Sequence, residues 1–261
     1  MKKKKIKLWI AVSLVVSGLL LFAGLMTALG WDFKKLQTVE YETKQYEITQ
    51  TVQSLSIEGM TGDVVILPTQ EASARVVCYQ QTEIKYSVSV VDGVLTIDEV
   101  DTRKWYLHFS ISFESPTITV YLPQGEYSTL SVKMSTGDLS LQNLVVNEVS
   151  LSLSTGKIEL RGVHCTNLNA KTSTGDIELY NVIASQKMNI QSSTGDVELH
   201  GCDGAEIAIT TSTGDVEGSL LSPKEFIIQT STGKVDVPKS TTGGKCTIRT
   251  STGDVEIIIL G

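Results

Sequence analysis

From about residue 128 onward, apolar positions recur in pairs at alternate residues, each pair locked to a glycine. The glycines Gly137, Gly156, Gly175, Gly195, Gly214, Gly233 and Gly253 stand 19, 19, 20, 19, 19 and 20 residues apart. Two residues after them come Leu139, Ile158, Ile177, Val197, Val216, Val235 and Val255; four after them come Leu141, Leu160, Leu179, Leu199, Gly218, Val237 and Ile257. This alternation predicts a short half-buried strand after each glycine. A second strand is predicted about ten residues on, with inward pairs Val149/Leu151, Leu168/Ala170, Met188/Ile190, Ile207/Ile209, Phe226/Ile228 and Cys246/Ile248. Nothing between them has helical period or length. A fixed period near 20 residues with two strands per turn predicts an all-β fold, a parallel β-solenoid whose turns bury their apolar faces only by stacking. Seven rungs spaced about 4.8 Å apart predict a regular rod about 34 Å long. The glycine of each Ser-Thr-Gly supplies a corner, and the preceding hydroxyls are expected to form ladders.

The region 49–127 is less regular and reads as an N-terminal cap on the solenoid of 128–261, with an outlying copy of the repeat at Met60-Thr61-Gly62-Asp63-Val64. Leu55, Ile57, Val64 and Ile66 give a first pair of strands, and Val76 and Cys78 a further one. Tyr86, Val88 and Val90 lead into Asp92-Gly93 and Val94 to Ile97, a strong hairpin signal. Trp105, Leu107, Phe109, Ile111 and Phe113 alternate inward, with Tyr106, His108 and Tyr121 as an outward patch that suits either a sheet surface or glycan stacking. Ile257 to Leu260 finish the sequence without a polar cap, so the C-terminal rung is expected to be a bare docking edge unless side chains protect it.

The first 48 residues follow other rules. Residues 1–7 hold five lysines and no acid, residues 8–31 hold no charge, and residues 32–48 are mixed and read as a stalk. Twenty-four uncharged residues with Trp9 and Trp31 near the ends predict a membrane anchor, N-terminus cytoplasmic and the remainder extracellular; Ala28-Leu29-Gly30 gives a cleaved signal peptide as the rival. Because five of the 22 basic residues precede the anchor and all 29 acids follow it, the net −7 conceals an exported part at −12. That charge excludes nucleic acid as a partner.

Charge also patterns the repeat. One residue after each glycine stand Asp138, Lys157, Asp176, Asp196, Asp215, Lys234 and Asp254; three after stand Ser140, Glu159, Glu178, Glu198, Glu217, Asp236 and Glu256. Both columns are expected on one outward face. As a solvated face they keep the rod soluble; as a site they would bind Ca²⁺, Mg²⁺ or a cationic polymer or peptide, with Asp176, Glu178, Asp196, Glu198, Asp215 and Glu217 as the candidate metal residues. Acids repeated in every turn argue against a catalytic pair such as Glu178 with Asp196, and no nucleophile, phosphate-loop or nucleotide motif appears, so an enzyme, for instance one acting on wall polysaccharide, is not expected. Cys202 and Cys246 take core slots; Cys78 and Cys165 match no rung position. His164-Cys165 and His200-Gly201-Cys202 lie in non-adjacent turns and make no zinc or copper pattern.

The strand Ile118-Thr119-Val120-Tyr121-Leu122-Pro123, the recurring Ser-Thr-Gly-Asp-Val/Ile-Glu turns and the N-terminal apolar span resemble the bacterial "putative adhesin" β-strand-repeat family, which includes LiaG-like and YvlB-like membrane-anchored envelope proteins. The resemblance covers about Ile48 to Gly261. It implies a surface-exposed β-repeat domain of unknown function, an adhesin or an envelope-stress scaffold whose partner is an envelope protein or wall polymer. It implies no catalytic or cofactor residue.

Overall fold

The computed structural model describes residues 2–33, 37–101, 112, 114–240 and 242–260, the side chains of 2–8 and 101 excepted. Two compact units result, residues 1–40 with 104–114, and residues 41–103 with 115–261.

In the first unit, helix α1 spans Lys2–Ala28 and closes on Gly30 and Trp31, both at positive φ, where the Trp31 amide donates to the Met26 carbonyl. Its segment Trp9–Ala28 has a mean hydropathy of 2.3 and is long and apolar enough to cross a membrane, as an anchor or as a signal sequence. The helix therefore takes in the basic stub and stops three residues before the expected end. Gly30 is the reason, since a left-handed residue ends a helix. The residues of the expected aromatic strand, Trp105, Leu107, Phe109, Ile111 and Phe113, lie outside the described residues, as do Tyr106 and His108.

The second unit is all-β. Its strands are β1 (Tyr41–Ile48), β2 (Ser54–Thr61), β3 (Asp63–Thr69), β4 (Ala74–Gln81), β5 (Ile84–Val91), β6 (Val94–Asp101) and β7 (Thr117–Pro123). There follow β8 (Glu126–Thr136), β9 (Leu139–Gln142), β10 (Val145–Thr155), β11 (Ile158–Arg161), β12 (His164–Thr174), β13 (Ile177–Tyr180) and β14 (Ile183–Thr194). The last are β15 (Val197–Thr213), β16 (Val216–Leu220), β17 (Lys224–Gln229), β18 (Val235–Asp236), β19 (Gly244–Arg249) and β20 (Val255–Ile259).

Within the repeats every strand pairs in parallel with its counterpart one turn away. Leu151 aligns with Val132 and Ala170, and Leu160 with Leu141 and Leu179. The unit is nevertheless mixed, because β1/β4, β4/β7 and β5/β6 pair antiparallel at one end. The expectation was a parallel solenoid behind an irregular cap; the sheet as a whole is mixed, and its antiparallel pairs all fall within 41–123, in the expected cap and the segment before it. Antiparallel neighbours need only tight turns, and Asp92 (φ 50°) with Gly93 (φ 76°) makes the one between β5 and β6 as the sequence signalled.

Chain order and spatial order part at both ends. The β2/β3 rung lies inside the β6/β7 rung, between it and β8/β9. At the other end β19 sits between β15 and β17, and β20 between β16 and β18. Among the described residues the stack has nine rungs rather than seven. The cap boundary at 127 fails because the Gly62 copy is a full rung, with Leu55 opposite Leu130 and Val64 opposite Leu139. The stalk also ends early: β1 forms along β4, with Ile48 buried and Tyr46 against the core.

The expected bare C-terminal rung is likewise corrected. Cys246, Ile248, Val255 and Ile257 are buried at 2% exposure or less, covered by the β17/β18 rung that precedes them in sequence. That covering rung is the outer one, and its Val235, in a column elsewhere fully buried, is 48% exposed.

One continuous apolar core runs through all rungs. The four cysteines are reduced and buried in it, and burial pushes their thiols up, to about 11 for Cys202 and about 12 for the others. Cys165 does have a rung position, between Val146 and Ala184.

Candidate functional site

The corners explain the first acidic column. Gly62, Gly137, Gly156, Gly175, Gly195, Gly214, Gly253 and Gly233 stack in that order, all at φ between 126° and 151°. A Cβ on Gly195 would lie 2.1 Å from the Gly175 carbonyl oxygen, so no side chain fits. Where the preceding rung carries an Asp just after its glycine, that Asp accepts the amide of the residue after the next glycine. Asp63 Oδ1 takes the amide of Asp138, Asp138 that of Lys157, Asp176 that of Asp196, Asp196 that of Asp215, Asp215 that of Asp254 and Asp254 that of Lys234, at 2.7 to 2.9 Å. Three of the six candidate metal residues, Asp176, Asp196 and Asp215, are therefore backbone acceptors in the corner ladder.

The hydroxyl ladder comes from a different residue than expected. Ser and Thr just before the glycines are exposed. The residue three before is buried instead, and Thr172, Ser192, Thr211 and Thr250 donate to the corner carbonyls of the neighbouring rung at 3.2 to 3.4 Å.

The second column, three residues after glycine, changes character along the stack. Glu159 is held by Arg161 in a two-point contact at 2.8 and 3.2 Å, which draws its carboxyl below the usual range. Glu178 meets the Lys157 ammonium at 2.6 Å and the Tyr180 hydroxyl at 3.1 Å, and that contact raises the lysine. Glu198 is joined by His200 at 3.2 Å. Glu217 and Glu256 have no ion pair or side-chain hydrogen bond among the described residues. The face is thus neutralised at one end and unpaired at the other.

Beside the glutamates stand the residues five after glycine, among them Gln142, Arg161, Tyr180, His200, Ser219 and Ile258. The Arg161 guanidinium lies 3.7 Å from the Tyr180 ring centroid, and Tyr180 stacks on His200 at 4.6 Å and 14°. Then the stack breaks. Gly218 replaces the usual inward leucine, the β15/β16 register shifts between Leu199 and Cys202, and the short Ser219 accepts the Gly201 amide at 2.9 Å. The result is a cavity of about 280 Å³ lined by Glu198, His200, Glu217, Gly218, Ser219, Glu256 and Ile258. Sequence reasoning read the columns but missed this break, although Gly218 and Ser219 are its signal.

Elsewhere, Asp203 and Lys224 form a buried pair at 2.5 Å. Burial by itself would raise Asp203; Lys224, Ser222 and the Gly204 amide outweigh it and hold the carboxyl below its ordinary value. The lysine, 3% exposed, starts β17, beyond Gly244 of β19, so the pair fastens the displaced outer rung. Tyr121 lies under the Arg75 guanidinium at 4.5 Å. Among the described residues no three His, Cys, Asp or Glu side chains are grouped to hold a metal ion.

Residues 52–260 match the Toastrack DUF4097 family model, and the chain belongs to that family. No curated protein sequence matches it. Among solved structures it is similar to a "putative adhesin" from Bacteroides fragilis NCTC 9343, at 16% identity and a TM-score of 0.55 over 84% of this chain and 97% of that one. It is also similar to a "putative lipid binding protein" from Parabacteroides distasonis ATCC 8503, at 13% identity and a TM-score of 0.47, covering 85% and 98%. At such identities the likeness is one of fold.

Proposed function

We propose that this protein is a non-catalytic interaction protein of the bacterial cell surface, an adhesin or envelope scaffold, anchored by α1 with its N-terminus in the cytoplasm. In this reading the parallel rungs are a rigid solenoid rod that presents one acidic strip to wall polymer or to an envelope protein. The observation that carries it is the division of labour between the two acidic columns: the aspartates hold the corners together, while Glu217 and Glu256 remain unpaired and exposed. Carboxylates of one sign on a rigid face attract polymers and peptides of the other. The apolar helix with five lysines at its start supports the orientation, and the adhesin name of the Bacteroides neighbour agrees with a surface role. Calcium is the weaker form of the cation reading, because half of its candidate ligands already serve backbone amides.

The test uses the full chain in lipid nanodiscs with amine-bearing wall-polymer fragments and their N-acetylated forms. Salt-sensitive binding that falls on acetylation and in a Glu217→Gln/Glu256→Gln variant is expected. Indifference to acetylation and to both substitutions would remove the acidic strip from the account.

A further inference from the structure

The break at Ser219 has a filled counterpart three rungs away in the same molecule. At Arg161 a guanidinium lies over an aromatic ring, 3.7 Å from its centroid, while two of its nitrogens reach the carboxylate two residues earlier at 2.8 and 3.2 Å. Ser219 occupies the same position in its own rung, five after the glycine, and Glu217 stands where Glu159 stands. The serine is too short to cross the cavity, and its hydroxyl is occupied by the Gly201 amide. His200, stacked by Tyr180 on one side and 48% exposed, lines the cavity together with Ile258 from the following rung, while Glu198, Glu217 and Glu256 edge it.

We infer that this cavity is a slot for the guanidinium side chain of an arginine-bearing peptide segment of a partner. The arginine lies between the His200 ring and Ile258 and is paired with Glu217, completing from outside the stack that Arg161, Tyr180 and His200 begin. The chemistry is specific in three ways. A flat cation suits a ring face and an apolar wall. A carboxylate beside it matches the two-point geometry of guanidinium better than a point-charge ammonium. The slot also differs from the rest of the strip, where Lys157 and Arg161 already neutralise the glutamates. This inference rests on the acidic strip being the binding face, and deepens it by naming a ligand class and a place.

The experiment titrates the full chain in nanodiscs with a short arginine-containing peptide, its citrulline counterpart and its lysine counterpart. Ser219→Arg fills the slot from within, and Ser219→Ala removes the Gly201 hydrogen bond without filling it. Expected are binding of the arginine peptide, a loss of at least about threefold with citrulline and with His200→Ala, weaker binding of the lysine peptide, loss in Ser219→Arg, and retention in Ser219→Ala. Peptide binding that is salt-sensitive and lost in Glu217→Gln/Glu256→Gln, yet unchanged in Ser219→Arg and His200→Ala, would overturn the slot while leaving the strip. Citrulline and arginine peptides binding alike would overturn both.

Discussion

Replacing Gly195 by alanine tests the corner geometry most sharply. The new Cβ would sit 2.1 Å from the Gly175 carbonyl oxygen, where an ordinary contact is about 3.5 Å, so the two rungs would have to part by more than an ångström. Separation is resisted on both sides, because β14 and β12 are held in register from Lys187 to Thr194 and β15 pairs with β13 immediately after the corner. The left-handed backbone (φ 139°) adds about 1–2 kcal/mol for any L side chain, and the forced contact about 1–3 kcal/mol, for about 2–5 kcal/mol in all. In a unit of this size that lowers the melting temperature by roughly 5–20 °C. Two controls separate the contributions. Gly59 has φ 75° with nothing within 4 Å of its would-be Cβ, so Gly59→Ala should cost only the backbone strain; Gly125 has neither constraint and should be neutral or slightly stabilised. The assay is the thermal loss of β-sheet circular dichroism for the full chain in detergent. If Gly195→Ala costs no more than Gly59→Ala, close rung approach is not why glycine recurs.

Asp196→Asn should fold and melt like the wild type, because an amide oxygen can still accept the Asp215 amide, whereas Asp196→Ala should lose about 1 kcal/mol in denaturant titrations. Asp203→Ala strands the buried Lys224 and should cost about 3–5 kcal/mol, read in the same titrations. Because the folded Asp203 carboxyl is depressed, its contribution is complete above the ordinary carboxylate value of about 3.9 and is lost as pH falls below it through the folded value; Asp203→Asn should flatten the acid limb of the stability curve there and nowhere else. Deleting residues 239–261 withdraws an inner rung and should unfold the rod's end, seen as rapid proteolysis after Thr213, not a trimmed but intact fold. Tyr86→Phe should be neutral or stabilising in thermal melts, since its buried hydroxyl has no hydrogen-bond partner among the described residues.

The repeat was legible because each rung repeats one local rule, apolar at two and four after glycine, and stacking makes local agreement global. The rung order was not. Lys224 and Gly244 carry the exchange of the last two rungs, yet each is an ordinary residue until Asp203 is placed beside them, and sequence periodicity is blind to which neighbour a rung chooses. The stalk reading failed at Tyr41–Ile48 for a related reason, since Glu42 and Lys44 stand on the same face as Tyr46 and Ile48 and mask a period of two that only β4 makes useful. At the site, the columns of Asp and Glu were visible as patterns, but their division into corner acceptors and unpaired glutamates depends on side-chain partners that spacing alone does not assign.

The surface role rests first on which side of the membrane the β unit lies, and one labelling experiment decides it. Intact cells are treated with a membrane-impermeant amine reagent and the full chain is recovered for peptide mass mapping. Lys133 and Lys187, with side chains 63% and 52% exposed, should be modified while Lys2 to Lys7 remain unmodified until the membrane is opened. Labelling of the N-terminal lysines with Lys133 and Lys187 protected would place the acidic strip inside the cell and contradict the account.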